Sequence, residues 1–173
     1  GASVYLDGVY KGQTNFFAWP PNSYEITGVP NGTYTVKLTK PGFIETSKSV
    51  TINNANMSVT VNLVEMKVTK AEWRNSGGQK INQAQAGDVV TLYIEATGYD
   101  GQTLQAQIYE DDTGVPTFYE KTKWPVVALS IPISGGKGSV QWTTRWMPDG
   151  SLQGRPEYMF HIVGTETWSA GPS

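Results

Sequence analysis

Cysteine is absent from this chain of 173 residues, and histidine occurs once, at His161. Without cysteine the chain has no disulfide bonds, and the redox state of its compartment leaves no mark on the sequence. A metal site would have to be built from aspartate and glutamate with at most one histidine. The sequence therefore predicts no bound metal and no cofactor.

Long apolar runs and a strong excess of one charge are also missing. No run approaches the roughly 20 apolar residues that a membrane-spanning helix needs. The 13 basic and 15 acidic residues give a formal net charge of −2, and the basic residues form no cluster along the chain. We therefore expect no membrane span and no nucleic-acid partner. The chain begins at Gly1 without a signal peptide, so we expect a processed protein or an excised fragment.

Strand-forming and turn-forming residues dominate what is present. Hydrophobic residues make up only 38% of the chain, but aromatic residues reach 12%, and valine and threonine are frequent. The 19 glycines and 10 prolines supply ends for many short strands. No helical periodicity extends beyond about two turns. The sequence predicts an all-β fold.

The clearest strand pattern lies within residues 28–43. Pro30 and Gly32 favour a tight turn, because proline fixes φ and glycine accepts positive φ. Apolar and polar side chains then alternate over residues 33–39, as in a half-buried strand, and Pro41 ends the pattern. Other alternating segments predict strands on either side, with Asp7-Gly8 as a hairpin turn. These further predicted strands are residues 2–6, 23–27, 44–52 and 57–64.

The first third of the chain resembles two families of small β-domains. Residues 1–12, Gly-Ala-Ser-Val-Tyr-Leu-Asp-Gly-Val-Tyr-Lys-Gly, resemble the opening of PEGA domains. The later segments Gly-Val-Pro-Asn-Gly-Thr-Tyr-Thr-Val and Lys-Pro-Gly-Phe resemble both PEGA and carboxypeptidase-regulatory-like (transthyretin-like) domains. The resemblance covers residues 1–64 and implies an extracytoplasmic β-sandwich without catalytic residues. Residues 13–30 depart from it, because this segment is longer and more aromatic than in a minimal PEGA repeat.

Residues 65–173 form a second predicted domain after a very short linker. About seven strands with turn signals every 8–12 residues are typical of an immunoglobulin-like sandwich. The segment Ala86-Gly87-Asp88-Val89-Val90-Thr91-Leu92 resembles surface Ig-like domains of bacteria and archaea. We therefore expect two tandem β-sandwich domains. The predicted strands of this domain are residues 66–73, 89–97, 104–110, 115–124, 126–133, 139–146 and 157–163, with residues 165–173 as a tail.

Aromatic residues give the strongest indication of an interaction surface. Phe16, Phe17 and Trp19 stand just before Pro20-Pro21, in a segment predicted to be a loop. We expect these three residues to contact a neighbouring domain, another subunit or a glycan. Trp73 and Trp142 are expected in the core instead, since aromatic residues dominate burial. Three further tryptophans, Trp124, Trp146 and Trp168, stand near predicted turns or strand ends.

An acidic cluster and the single histidine are the remaining candidates for metal binding or catalysis. Glu110-Asp111-Asp112 is the densest acidic cluster, and it suggests either a calcium site or, as we favour, a solvated turn. His161 is expected on the other face of its predicted strand from Tyr158, Phe160 and Ile162. No nucleophile motif accompanies it, so we expect a structural histidine.

The sequence therefore favours a protein that is not an enzyme. We expect a structural or assembly module of a cell-surface or secreted prokaryotic protein, such as a filament or stalk subunit. Edge strands of such sandwiches favour self-assembly or pairing with protein partners. The alternative hypothesis is a carbohydrate-binding accessory module that contacts polysaccharide through the aromatic loop.

Overall fold

A computed structural model describes residues 1–111, 123–146 and 158–169. These described residues are all-β, as predicted, and they contain no helix. It divides into two compact units, Gly1–Met66 and Lys67–Ser173. Within the described residues no helix is long and apolar enough to cross a membrane. The predicted strand over residues 115–124 falls largely outside the described part of the chain.

The first unit contains a four-stranded antiparallel sheet in the order β2-β1-β3-β4. The Asp7-Gly8 turn joins β1 and β2 with φ values of 47° and 79°. Positive φ at both central residues is the geometry that matches the twist of a hairpin, so this predicted turn is confirmed. The strands are β1 (Ser3–Leu6), β2 (Val9–Gln13), β3 (Gly32–Thr39) and β4 (Thr46–Ile52).

Two predicted strands of the first unit form no ladder. Residues 23–27 contribute a single bridge, between Ser23 and Asn15, and residues 57–64 pair with no strand. In residues 57–64 the side chains still alternate in exposure from residue 58 on, with Val59, Val61 and Leu63 half-buried. Alternation predicted which side chains are covered but not which backbone groups find a partner, because a ladder also needs a neighbouring strand in register.

The second unit contains a seven-stranded antiparallel sheet in the order β11-β10-β7-β8-β9-β6-β5. The longest strand, β8, pairs with β7 over residues 123–132 and with β9 only through Ile133 and Ser134. The terminal strands β11 and β5 also contact each other. The strands are β5 (Lys67–Arg74), β6 (Val89–Thr97), β7 (Thr103–Asp111), β8 (Lys123–Ser134), β9 (Lys137–Thr143), β10 (Tyr158–Ile162) and β11 (Trp168–Ser169).

Strand β11 corrects the prediction of a tail after residue 165. Its Ser169 is buried and pairs with Phe160, and the Phe160 N–H donates to the Ser169 Oγ at 3.1 Å. A strand of two residues is too short to show a period of two, so no sequence pattern predicts it.

Buried side chains are distributed unequally between the units. In the first unit, all of which is described, the buried hydrophobic residues are Ala2, Val4 and Leu6. The second unit has a contiguous apolar cluster around Trp73 and Phe160, whose rings meet edge to face at 5.2 Å. Trp142 joins this cluster with a ring distance of 5.7 Å to Trp73. The core positions predicted for Trp73 and Trp142 are confirmed.

Candidate interaction sites

The predicted aromatic residues lie in a closed loop that follows β2. At its base the Asn15 N–H donates to the Ser23 carbonyl at 3.0 Å, and the Asn22 N–H donates to the Asn15 carbonyl at 2.9 Å. The Asn15 side chain also accepts a hydrogen bond from the Phe17 N–H at 2.9 Å. Asparagine suits this role because its side chain bonds backbone groups two residues further on.

The tip of this loop presents its aromatic side chains to solvent. Phe16, Phe17 and Trp19 are 67%, 91% and 93% exposed, and the Trp19–Pro20 peptide bond is cis. The two phenylalanine rings meet edge to face at 5.5 Å. Residues 13–24 carry no charge. The structure thus brings the three predicted residues into one uncharged surface, which we call the aromatic loop; its partner stays a prediction.

A second surface is made of backbone rather than side chains. Residues 57–64 belong to no strand, but their side chains alternate in exposure from residue 58 on, as those of an extended chain do. No backbone N–H of these residues makes a hydrogen bond to any described residue. One end is fixed, because the Ile44 N–H donates to the Val64 carbonyl at 2.8 Å. The Lys48 Nζ donates to the Thr60 carbonyl at 3.4 Å. We call these eight residues the 57–64 segment.

The acidic cluster is only partly described. Glu110 points into the second unit and is 4% exposed, which contradicts a fully solvated turn at this residue. The Asp111 side chain and Asp112 lie outside the described residues. Among the residues that are described, no three histidine, aspartate or glutamate side chains converge as a metal site would require.

Tyr158 lies opposite Glu110 on the neighbouring strand and is buried. Its hydroxyl donates to the Arg145 carbonyl at 2.5 Å. Burial raises the pKa of the Tyr158 hydroxyl, and the Glu110 carboxylate raises it further, while Arg145 acts in the opposite direction. Tyr158 is therefore held in its neutral, hydrogen-bonding form.

His161 lies on the opposite face of β10 from Tyr158, Phe160 and Ile162, which confirms the predicted parity. Its imidazole Nε2 donates to the Thr165 carbonyl at 2.6 Å, and its ring stacks on Trp168 at 4.4 Å. The sequence predicts Trp168 only as a tryptophan near a turn or strand end. It does not predict this pair, because β11 has no sequence pattern that would bring Trp168 beside His161.

Comparison with known proteins identifies one family. Residues 1–67 match the PEGA domain family, which confirms this part of the predicted resemblance. No curated protein and no solved structure matches the chain. The relationship to carboxypeptidase-regulatory-like domains and the Ig-like nature of the second unit stay predictions.

Proposed function

We propose that this chain is a non-catalytic structural or assembly module of an extracellular or cell-surface prokaryotic protein, such as a filament or stalk subunit. The PEGA match supports this assignment, since PEGA domains occur in extracellular or surface proteins. In this proposal the chain connects parts of a surface protein, or assembles with other copies of itself, and catalyses no reaction.

In this proposal each unit is a β-sandwich, and the second is Ig-like. Tyr158 supports the Ig-like assignment, because it begins β10 and bonds back to the Arg145 carbonyl just beyond β9. A tyrosine near the start of a strand that bonds to the preceding corner is a feature of Ig-like sandwiches. Strand β8 pairs first with β7 and at its end with β9. A strand that changes partners in this way fits a sandwich in which it links the two layers.

The observation that carries the assembly proposal is the 57–64 segment. The N–H and C=O groups of one residue in an extended strand point to the same side. Because the Val64 carbonyl faces Ile44, the even-numbered residues face that side and the odd-numbered ones face away. Met57, Val59, Val61 and Leu63 therefore direct unpaired backbone groups outwards, ready to accept a strand from another chain. We assign that strand to a second copy of the same protein.

A proline at position 61 tests this assignment. Val61→Pro removes one outward N–H that a partner strand would need, and this N–H makes no hydrogen bond within the described chain. Light scattering over a concentration series, together with electron microscopy, is expected to show self-association that weakens roughly tenfold in Val61→Pro.

Val61→Ala is the matched control, because it loses the half-buried side chain and keeps the N–H. It is expected to self-associate like the wild type. A wild-type protein that stays monomeric at high concentration contradicts the proposal, and so does equal weakening in both variants. Thermal unfolding of each variant separates loss of association from loss of folding.

Carbohydrate binding by the aromatic loop is the second candidate function. It is favoured by the 93% exposure of Trp19 in a loop without charge. A glycan array with the wild type and Trp19→Ala tests it, since this candidate requires a glycan that binds the wild type and not the variant. The absence of wild-type binding to any glycan would remove this candidate.

A further inference from the structure

The outer face of the β11-β10-β7-β8 part of the second unit gathers polar and aromatic side chains. One row across the strands runs Trp168, His161, Gln107, Ala128, as the pairing register dictates. Tyr109 pairs with Met159 on one side of this row, and Gln105 pairs with Ser130 on the other. Two strand spacings separate β11 from β7, about 10 Å, so the row is long enough to contact more than one ring of a chain molecule.

The aromatic part of this face is fixed in place. The rings of His161 and Trp168 are stacked at 4.4 Å and 25°, and Tyr109 lies 5.4 Å from Trp168. The hydrogen bond from His161 Nε2 to the Thr165 carbonyl holds the imidazole. The imidazole covers one face of the indole, and Trp168 nevertheless remains 43% exposed. The exposed remainder is a rigid aromatic surface that needs no ordering before it binds.

The polar part consists of amides and a hydroxyl. Gln105 Nε2 donates to Ser130 Oγ at 2.9 Å, and Gln107 Nε2 donates to the Ile108 carbonyl at 2.9 Å. These bonds orient the two side chains and leave amide donors and acceptors on each glutamine for a ligand. No Asp, Glu, Lys or Arg occurs among the described side chains of this face.

We propose that this face, formed by Trp168, His161, Tyr109, Gln107, Gln105 and Ser130, binds a neutral polysaccharide chain. The C–H groups on one face of a sugar ring are apolar and slightly positive, which suits the negative face of an aromatic ring. Sugar hydroxyls both donate and accept, as the amides do. Among the described side chains of this face there is no cation to pair with nucleic acid or with an acidic glycan.

Affinity electrophoresis in gels that contain laminarin, xylan, glucomannan or hydroxyethylcellulose tests the proposal. The wild type is expected to be retarded by at least one of these polysaccharides. Trp168→Ala is expected to bind roughly tenfold more weakly, from loss of the aromatic contact. Gln107→Ala, which leaves the aromatic stack intact, is expected to weaken binding in the same gel.

The controls separate this site from the other surfaces. Trp146→Ala removes a tryptophan that is 60% exposed and lies beyond β9, and it is expected to bind like the wild type. Trp19→Ala and Val61→Pro are also expected to retain binding. Wild-type mobility unchanged in all four gels overturns the proposal. It is also overturned if Trp168→Ala and Gln107→Ala both bind normally, or if Trp19→Ala alone abolishes binding, which would place the site in the aromatic loop.

Discussion

The tyrosine at the start of β10 combines burial, a hydrogen bond and an acidic neighbour. Tyr158 donates to the Arg145 carbonyl and contacts the Trp142 ring edge to face at 4.8 Å. The pKa of Tyr158 is raised above the ordinary value of a tyrosine, because burial and Glu110 both disfavour the phenolate. The hydroxyl thus ties the chain beyond β9 to the core only while it is protonated.

This environment predicts a stability loss at alkaline pH that depends on one hydroxyl. The raised pKa means that the unfolded chain ionises first, so the contribution of Tyr158 is intact below about pH 10 and falls as pH rises towards the folded-state pKa. Tyr158→Phe is expected to be about 1 kcal/mol less stable than the wild type at pH 7, from the lost hydrogen bond. The difference is expected to narrow above about pH 10.

Urea unfolding of both proteins between pH 7 and 11 measures this difference. The other tyrosines titrate in both proteins, so only the gap between the two curves reports on Tyr158. A gap that stays constant over the whole range contradicts the assignment of a raised pKa to this residue.

A turn in the first unit shows how far one element depends on backbone conformation alone. Gly8 has a φ of 79°, and a Cβ built there meets nothing within 4 Å. Gly8→Ala is therefore expected to cost about 1 kcal/mol through the left-handed conformation rather than through a clash. Gly8→Asn is the control, since asparagine tolerates this conformation, and it is expected to recover most of the loss in chemical denaturation. Equal losses in both variants would point to a steric cause instead.

At the scale of strands, side-chain alternation predicted some elements and missed others. Period-two patterns located β3, β6 and β7 closely, because each has neighbours on both sides. One face of β6 and of β7 is also buried, which fixes the register of those two strands. The 57–64 segment has an equally regular pattern and no ladder. β11 has a ladder and no pattern. Pairing depends on partners that are distant in the sequence, so side-chain parity alone does not determine it.

Candidate sites were likewise predictable only where their residues are neighbours in the sequence. The aromatic loop was predictable because Phe16, Phe17 and Trp19 are neighbours in the sequence and precede two prolines. The outer face around Trp168 was not, since its members come from four strands and meet only through pairing. Local clusters are visible in a single sequence, whereas sites assembled across a sheet need the topology.

At the scale of the whole molecule, the two units differ in the extent of their cores. The first unit buries Ala2, Val4 and Leu6, while the second buries the large cluster around Trp73 and Phe160. Small domains with little buried apolar surface are marginally stable, since burial is the main favourable term in folding. The turns of the first unit add support, for Asn31 and Asn54 exchange two hydrogen bonds at 2.7 and 2.8 Å.

This inequality predicts two unfolding transitions in differential scanning calorimetry, with the first unit melting at the lower temperature. Leu6→Ala and Phe160→Ala assign them, since each is expected to remove about 2 to 4 kcal/mol from its own unit and to lower only that transition. A single transition that both variants shift equally would mean that the two units unfold as one cooperative body. In that case the small core of residues 1–66 would be stabilised by the rest of the chain, and the first unit would not be an independent module.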